Sequence, residues 1–208
     1  MNVITGQRPQ RAPVEGLREQ VRRETSELHR DIEEATDLPG SVASREDYVR
    51  LISQLHAFHL AVEGQLADPL LEQGWLEVGI VLLAHRRSHL LARDLSDLGV
   101  APKETAVGLP RLTGLGEALG CLYVVEGSAL GGRVLAPAFR TVLGDVPTGF
   151  FDSDERMHPH PWRSVLVSLG TFEAAGGRAE DVVTGAQRTF RAFGMHLAPQ
   201  SSSRAHVR

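Results

Sequence analysis

From residue 13 onward, apolar side chains recur three or four positions apart. Leu17, Val21, Leu28 and Ile32 fall on one stripe, with Thr25 in the gap and charged residues on the other faces. That spacing is the mark of a helix with one face on a core. Pro13 suits a first turn and Pro39-Gly40 ends the segment, so a helix is predicted over 13–36. Ser44 opens a second helix, with Asp47 three residues on as a variant of the capping box. Its apolar face is Tyr48, Leu51, Ile52, Leu55, Phe58, Val62 and Leu66, and it runs to Pro69. Residues 70–79 are irregular. Periodicity returns over 80–98 with Leu83, Leu90, Leu91, Leu95 and Leu98, closed by Gly99 as a left-handed cap. A long helix over 111–143 ends at Gly144-Asp145. Two more follow over 162–175 and 179–197, the latter with Val182, Val183, Ala186, Phe190, Phe193 and Leu197 on one side. No stretch alternates with period two, and no hairpin turn signal occurs. The pattern predicts a single all-α domain of six or seven helices over 13–198. Residues 1–12 are expected to be a disordered tail and 199–208 a loose one.

The long helix over 111–143 contains a contradiction. Its stretch Glu126-Gly127-Ser128-Ala129-Leu130-Gly131-Gly132 holds three glycines within six residues. Each interior glycine disfavours a helix by about 1 kcal/mol relative to alanine. Such a run calls for a kink, for tight helix packing, or for something flat lying against a backbone without Cβ atoms.

Charge and cysteine content narrow the setting. A net charge of −4 with nine histidines argues against a nucleic-acid backbone as partner. The single cysteine, Cys121, excludes an intramolecular disulfide and falls among apolar positions, where it reads as a core residue. No segment has the apolar length of a membrane span, and the first residues lack a signal-peptide core. A cytoplasmic protein without a membrane partner is expected.

Histidines supply the candidate chemistry. His29 and Glu33 are one turn apart on the first helix, where a carboxylate can fix an imidazole tautomer and leave the other ring nitrogen for a metal. An ordinary surface pair is the alternative. His56, His59, Glu63, His85 and His89 offer a second possibility, a mononuclear metal site. The absence of Glu-x-x-His pairs argues against a dinuclear one. His158 and His160 lie in a proline-rich loop and are expected to be solvated. If the helix carrying His29 faced the glycine stretch, the two would sandwich a flat cofactor, with a histidine ligand on one side and bare backbone on the other. Haem fits that description.

At these residues the sequence resembles the haem oxygenases, in particular the bacterial, biliverdin-producing branch associated with bacteriophytochromes. The likeness covers 17–197. Residues 24–33 resemble the family's proximal helix, which implies His29 as the iron ligand and Glu33 as its hydrogen-bonding carboxylate. Residues 48–63 resemble its second helix, and Asp94-Leu95 with Leu98-Gly99 matches a further pattern. The glycine stretch is similar to the distal kink, implying that Gly127, Gly131 and Gly132 contact the porphyrin. Arg22 takes the place of a basic residue near a propionate, with Tyr123 and Arg163 as further propionate candidates. Where many members carry an aspartate after the first distal glycine, this chain has Ser128, so Ser128 and Gly127 are the implied distal catalytic positions. The resemblance implies haem as substrate and cofactor, and O2 as co-substrate. It implies an external electron donor of the ferredoxin or flavin reductase type, and a bacteriophytochrome as acceptor of biliverdin. Biliverdin, ferrous iron and carbon monoxide are the implied products. A haem carrier or sensor on the same fold, favoured by the Ser128 replacement, is the alternative.

Overall fold

Ser44 caps its helix in the manner its spacing predicts. Its side chain accepts from the Asp47 N–H, and the Asp47 carboxylate accepts from the Ser44 N–H at 3.0 Å. The structure is a computed structural model that describes residues 16–103, 106–153 and 160–198. Both proposed tails and His158 lie outside the described residues.

Among these residues the α-helices are α1 (Leu17–Thr36), α2 (Arg45–Leu66), α3 (Glu72–Glu77), α4 (Ser88–Asp97), α5 (Leu115–Ala129), α6 (Gly132–Leu143), α7 (Pro161–Ala174) and α8 (Ala179–Leu197), with no strand. The all-α expectation holds. Three spans differ from the sequence pattern, two of them before residue 100. The predicted 80–98 helix is a 3-10 turn, Leu82–His85, followed by α4. The irregular stretch before it contains α3. Gly99 takes φ 78°, the left-handed cap expected of it.

Apolar packing divides into two clusters. One, around Leu17, Val21, Leu119, Leu122, Val165, Leu169, Val182 and Ala186, joins α1, α5, α7 and α8. The other, around Tyr48, Ile52, Leu91, Leu95 and Phe139, joins α2, α4 and α6. Phe193 of α8 packs on both. Leu119 and Leu122 are fully buried, each worth roughly 1.5–3 kcal/mol over exposure. α5 is the central helix and lies tightly on α8. A Cβ on Gly120 would overlap the Val182 carbonyl oxygen, and one on Gly185 would overlap that of Glu117. The two glycines let these helices meet backbone to backbone.

The predicted 111–143 helix is two helices, with α6 turned 43° from α5. At the corner, Leu130 N–H donates to Gly127 and Gly131 N–H donates to Ser128, at 3.2 and 3.1 Å. These tighter i to i−3 bonds carry the chain around the bend. No single helix among the described residues is long and apolar enough to cross a membrane.

Candidate functional site

On α1, Leu28 and Ile32 turn toward the core, so His29 emerges at the edge of the packed face with its side chain 54% exposed. Nδ1 stands 3.3 Å from Glu33 Oε2. Phe190 of α8 meets the ring edge-on, with centroids 5.8 Å apart. The pair engages Nδ1 and leaves Nε2 on the far side of the ring.

Toward the start of α1, Tyr123 of α5 lies within electrostatic reach of Arg18 and Arg22. Burial raises its phenol pKa and the two guanidinium groups oppose that rise. Its ring tilts against Trp162 at 5.0 Å. Tyr123 thus lies in the field of Arg18, Arg22 and Glu19, and Arg22 Nε donates to Glu19 at 3.2 Å. Arg163 is not in this group. It lines a cavity of about 450 Å³ between α3 and α7, with Leu76, Val78 and Ser164. Its neighbour Trp162 packs on Tyr123 of α5.

The three glycines of the corner have different surroundings. A Cβ on Gly127 would make ordinary contact with the Trp162 ring at 3.4 Å. One on Gly131 would meet only the Ser128 carbonyl oxygen at 3.3 Å, and no side chain within 4 Å. One on Gly132 would overlap the Phe151 carbonyl. The absence of a Cβ at Gly132 lets the 149–151 loop pack against the corner. Asp94 fixes that loop by accepting the N–H groups of Gly149 and Phe150 at 3.0 and 2.9 Å. Ser128 is exposed, and its hydroxyl donates to the Val125 carbonyl at 2.8 Å.

Directly before Gly127, Glu126 is fully buried. One carboxylate oxygen is 2.9 Å from His85 Nδ1 and the other accepts from buried Arg87 at 2.7 Å. Arg87 also donates to Ser153 at 2.7 Å. Burial pushes the Glu126 pKa up, but the His85 hydrogen bond and the Arg87 charge outweigh it and hold the pKa below the usual carboxylate value. The sequence reading missed this network. Its only local signal was an acidic residue inside an apolar helical run.

The mononuclear metal reading is overturned. Glu63 is occupied in capping α4, accepting the Arg87 and Ser88 N–H groups at 2.7 Å and the Ser88 hydroxyl at 2.6 Å. His85 is bound to Glu126, and His89 is exposed. Among the described residues no three ligating side chains converge on one point. His59 is buried edge-on to Phe150 at 5.1 Å, and desolvation pushes its pKa down to about 4. Cys121 is buried as expected, and burial pushes its thiol up to about 11.

No family model matches the chain. The chain is 32% identical over 163 residues to the heme oxygenase of Xanthomonas campestris pv. campestris (strain 8004), a match spanning 75% of this chain and 92% of that protein. The solved structure of the NO- and CO-bound heme oxygenase from Neisseria meningitidis aligns with a TM-score of 0.65 at 21% identity, over 88% of this chain and 90% of that one. The fold is therefore the all-helical one of that enzyme. The extent and identity of the Xanthomonas match go further: the chain belongs to the haem oxygenase family and is an oxidoreductase.

Proposed function

We propose that the protein opens the haem ring oxidatively, releasing biliverdin, ferrous iron and carbon monoxide. O2 is consumed, and electrons come from a separate donor of the ferredoxin or flavin reductase type. The observation that carries this reading is the His29–Glu33 pair, whose 3.3 Å contact holds Nδ1 and presents Nε2 away from the carboxylate.

The residues fit a porphyrin. An imidazole backed by a carboxylate suits an iron ligand, and the carboxylate raises its basicity. At Gly131, the position a Cβ would take meets no side chain, which leaves a bare patch of backbone. Bound haem supplies both the iron that takes up O2 and the ring that is oxidised. His29 Nε2 holds the iron, and Glu33 fixes the ring's tautomer and orientation. Arg22 and Tyr123, joined by Arg18, receive the propionates at the N-terminal end of α1. Gly127 and Gly131 admit the porphyrin face and confine the space above it. Ser128 Oγ, with its hydrogen directed to Val125, offers lone pairs that anchor a water and its proton. A bacteriophytochrome is the acceptor of the product.

The test is aerobic incubation of the haem complex with a reductant. Loss of the Soret band with appearance of biliverdin is the expected result. A persistent Soret band would instead identify a haem carrier or sensor.

A further inference from the structure

The cavity between α3 and α7 is left unused by the reading above, and it contains a second arrangement of catalytic type. Ser164 of α7 lines it. The Ser164 hydroxyl oxygen is 3.1 Å from His85 Nε2, and His85 Nδ1 is 2.9 Å from Glu126 Oε1. Serine, imidazole and carboxylate thus stand in one line across three separate elements. We propose that Ser164, His85 and Glu126 form a second catalytic centre that hydrolyses small carboxylic esters in this cavity.

Hydrogen-bond logic sets the tautomer. Glu126 is held by Arg87 and His85 in its ionised, acceptor-only form. Nδ1 of His85 therefore carries a proton, and in the neutral ring Nε2 keeps a lone pair facing Ser164. The His85 and Glu126 side chains are 3% and 0% exposed, so the base is oriented in a dry environment, while its serine partner borders open space. Arg87 locks the carboxylate from the other side at 2.7 Å. A cavity of about 450 Å³ is of small-molecule size. Leu76, Val78 and Val167 give it apolar walls, and Arg163 and His160 also line it.

The chemistry balances with water as the only co-reactant. Ser164 Oγ attacks the ester carbonyl carbon and its proton passes to His85 Nε2. The carbonyl oxygen becomes an oxyanion in the cavity that Arg163 also lines. The ester C–O bond breaks, and the departing alcohol takes the proton from His85. Water then gives a proton to the same nitrogen and attacks the acyl-serine. The acid is released and the proton returns to Ser164. The competing arrangement is visible too. The Ser164 hydroxyl also donates to the Pro161 carbonyl at 2.8 Å, and the reaction requires it to turn from that acceptor to His85 Nε2.

The full-length protein, with and without haem, is assayed against p-nitrophenyl acetate beside Ser164→Ala. We expect the parent to be at least tenfold faster than the variant, with haem binding equal in the two. An aryl fluorophosphonate should add once, at Ser164, as located by peptide mass. In Ser164→Cys, alkylation by iodoacetamide should show a thiol titrating below the ordinary pKa of about 8.5, because Nε2 becomes its charged partner. Equal ester hydrolysis by parent and Ser164→Ala, or no adduct at Ser164, overturns the proposal. If Ser164→Ala fails to fold, labelling of the parent alone decides.

Discussion

His29 Nδ1 and Glu33 Oε2 face each other at 3.3 Å across one turn of α1, with the edge of Phe190 closing the ring in from α8. The proposed haem-binding role gives the two members of this pair separable effects. His29→Ala should abolish axial ligation and turnover, read from the haem absorption spectrum and pigment yield. Glu33→Ala should retain ligation and lower activity about tenfold, the lower end of what loss of an outer hydrogen bond to a ligand costs. A His29→Ala protein with the parent spectrum would remove His29 from the site.

Gly131 and Gly120 should respond differently to added bulk. Gly131 has no side chain opposite it, so Gly131→Leu is expected to keep the thermal midpoint near that of the parent while haem affinity falls sharply. Gly120→Val places atoms inside the Val182 backbone of α8. It should destabilise the fold by about 3 kcal/mol, the upper range for overpacking. Calorimetry together with haem titration separates the two. Parent-like affinity in Gly131→Leu would mean that this glycine serves the bend alone.

Ser128 should govern rate and not affinity. Its hydroxyl hydrogen is directed to Val125, so it can only accept from a water above the corner. Ser128→Ala is expected to slow biliverdin formation several-fold, equivalent to about 1 kcal/mol, the net worth of one neutral hydrogen bond. Single-turnover rates with a fixed reductant measure this, and equal rates would strike Ser128 from the site.

Acid sensitivity should begin with His59. Its pKa is about 4 in the folded protein against an ordinary 6.5, so the unfolded chain takes up its proton first as pH falls. The stability due to neutral burial is complete above pH 6.5 and is lost between there and about pH 4. A shift of this size corresponds to about 3 kcal/mol. Glu63 and Glu126, whose folded pKa values lie below the ordinary 4.5, contribute stability above that pH and lose it only further down. Urea unfolding of His59→Leu between pH 7 and 4 should show a flatter profile than the parent. An equally steep one would assign the acid limb to the carboxylates.

The helices with a clear cap or a continuous apolar stripe were legible because their causes are local. The capping box at Ser44 needs only residues 44–47, and the stripe of α8 spans 179–197 in both sequence and structure. The His29–Glu33 pair was legible for the same reason, since four residues along a helix bring two side chains together whatever the tertiary fold. A reason for the glycine run could be demanded from the sequence, but the reasons themselves could not be assigned. The choice among bend, packing and cofactor depends on what lies opposite, and for Gly132 that is Phe151, nineteen positions away in the loop whose Gly149 and Phe150 N–H groups bind Asp94. The meeting of Gly120 with Gly185 was hidden for the same reason. So was the Glu126 network, whose partners His85 and Arg87 come from 41 and 39 residues earlier. Periodicity reports which face of a helix is buried. Only the tertiary structure decides which backbone, charge or ring that face meets, because these contacts form between segments whose separation in the chain carries no pattern.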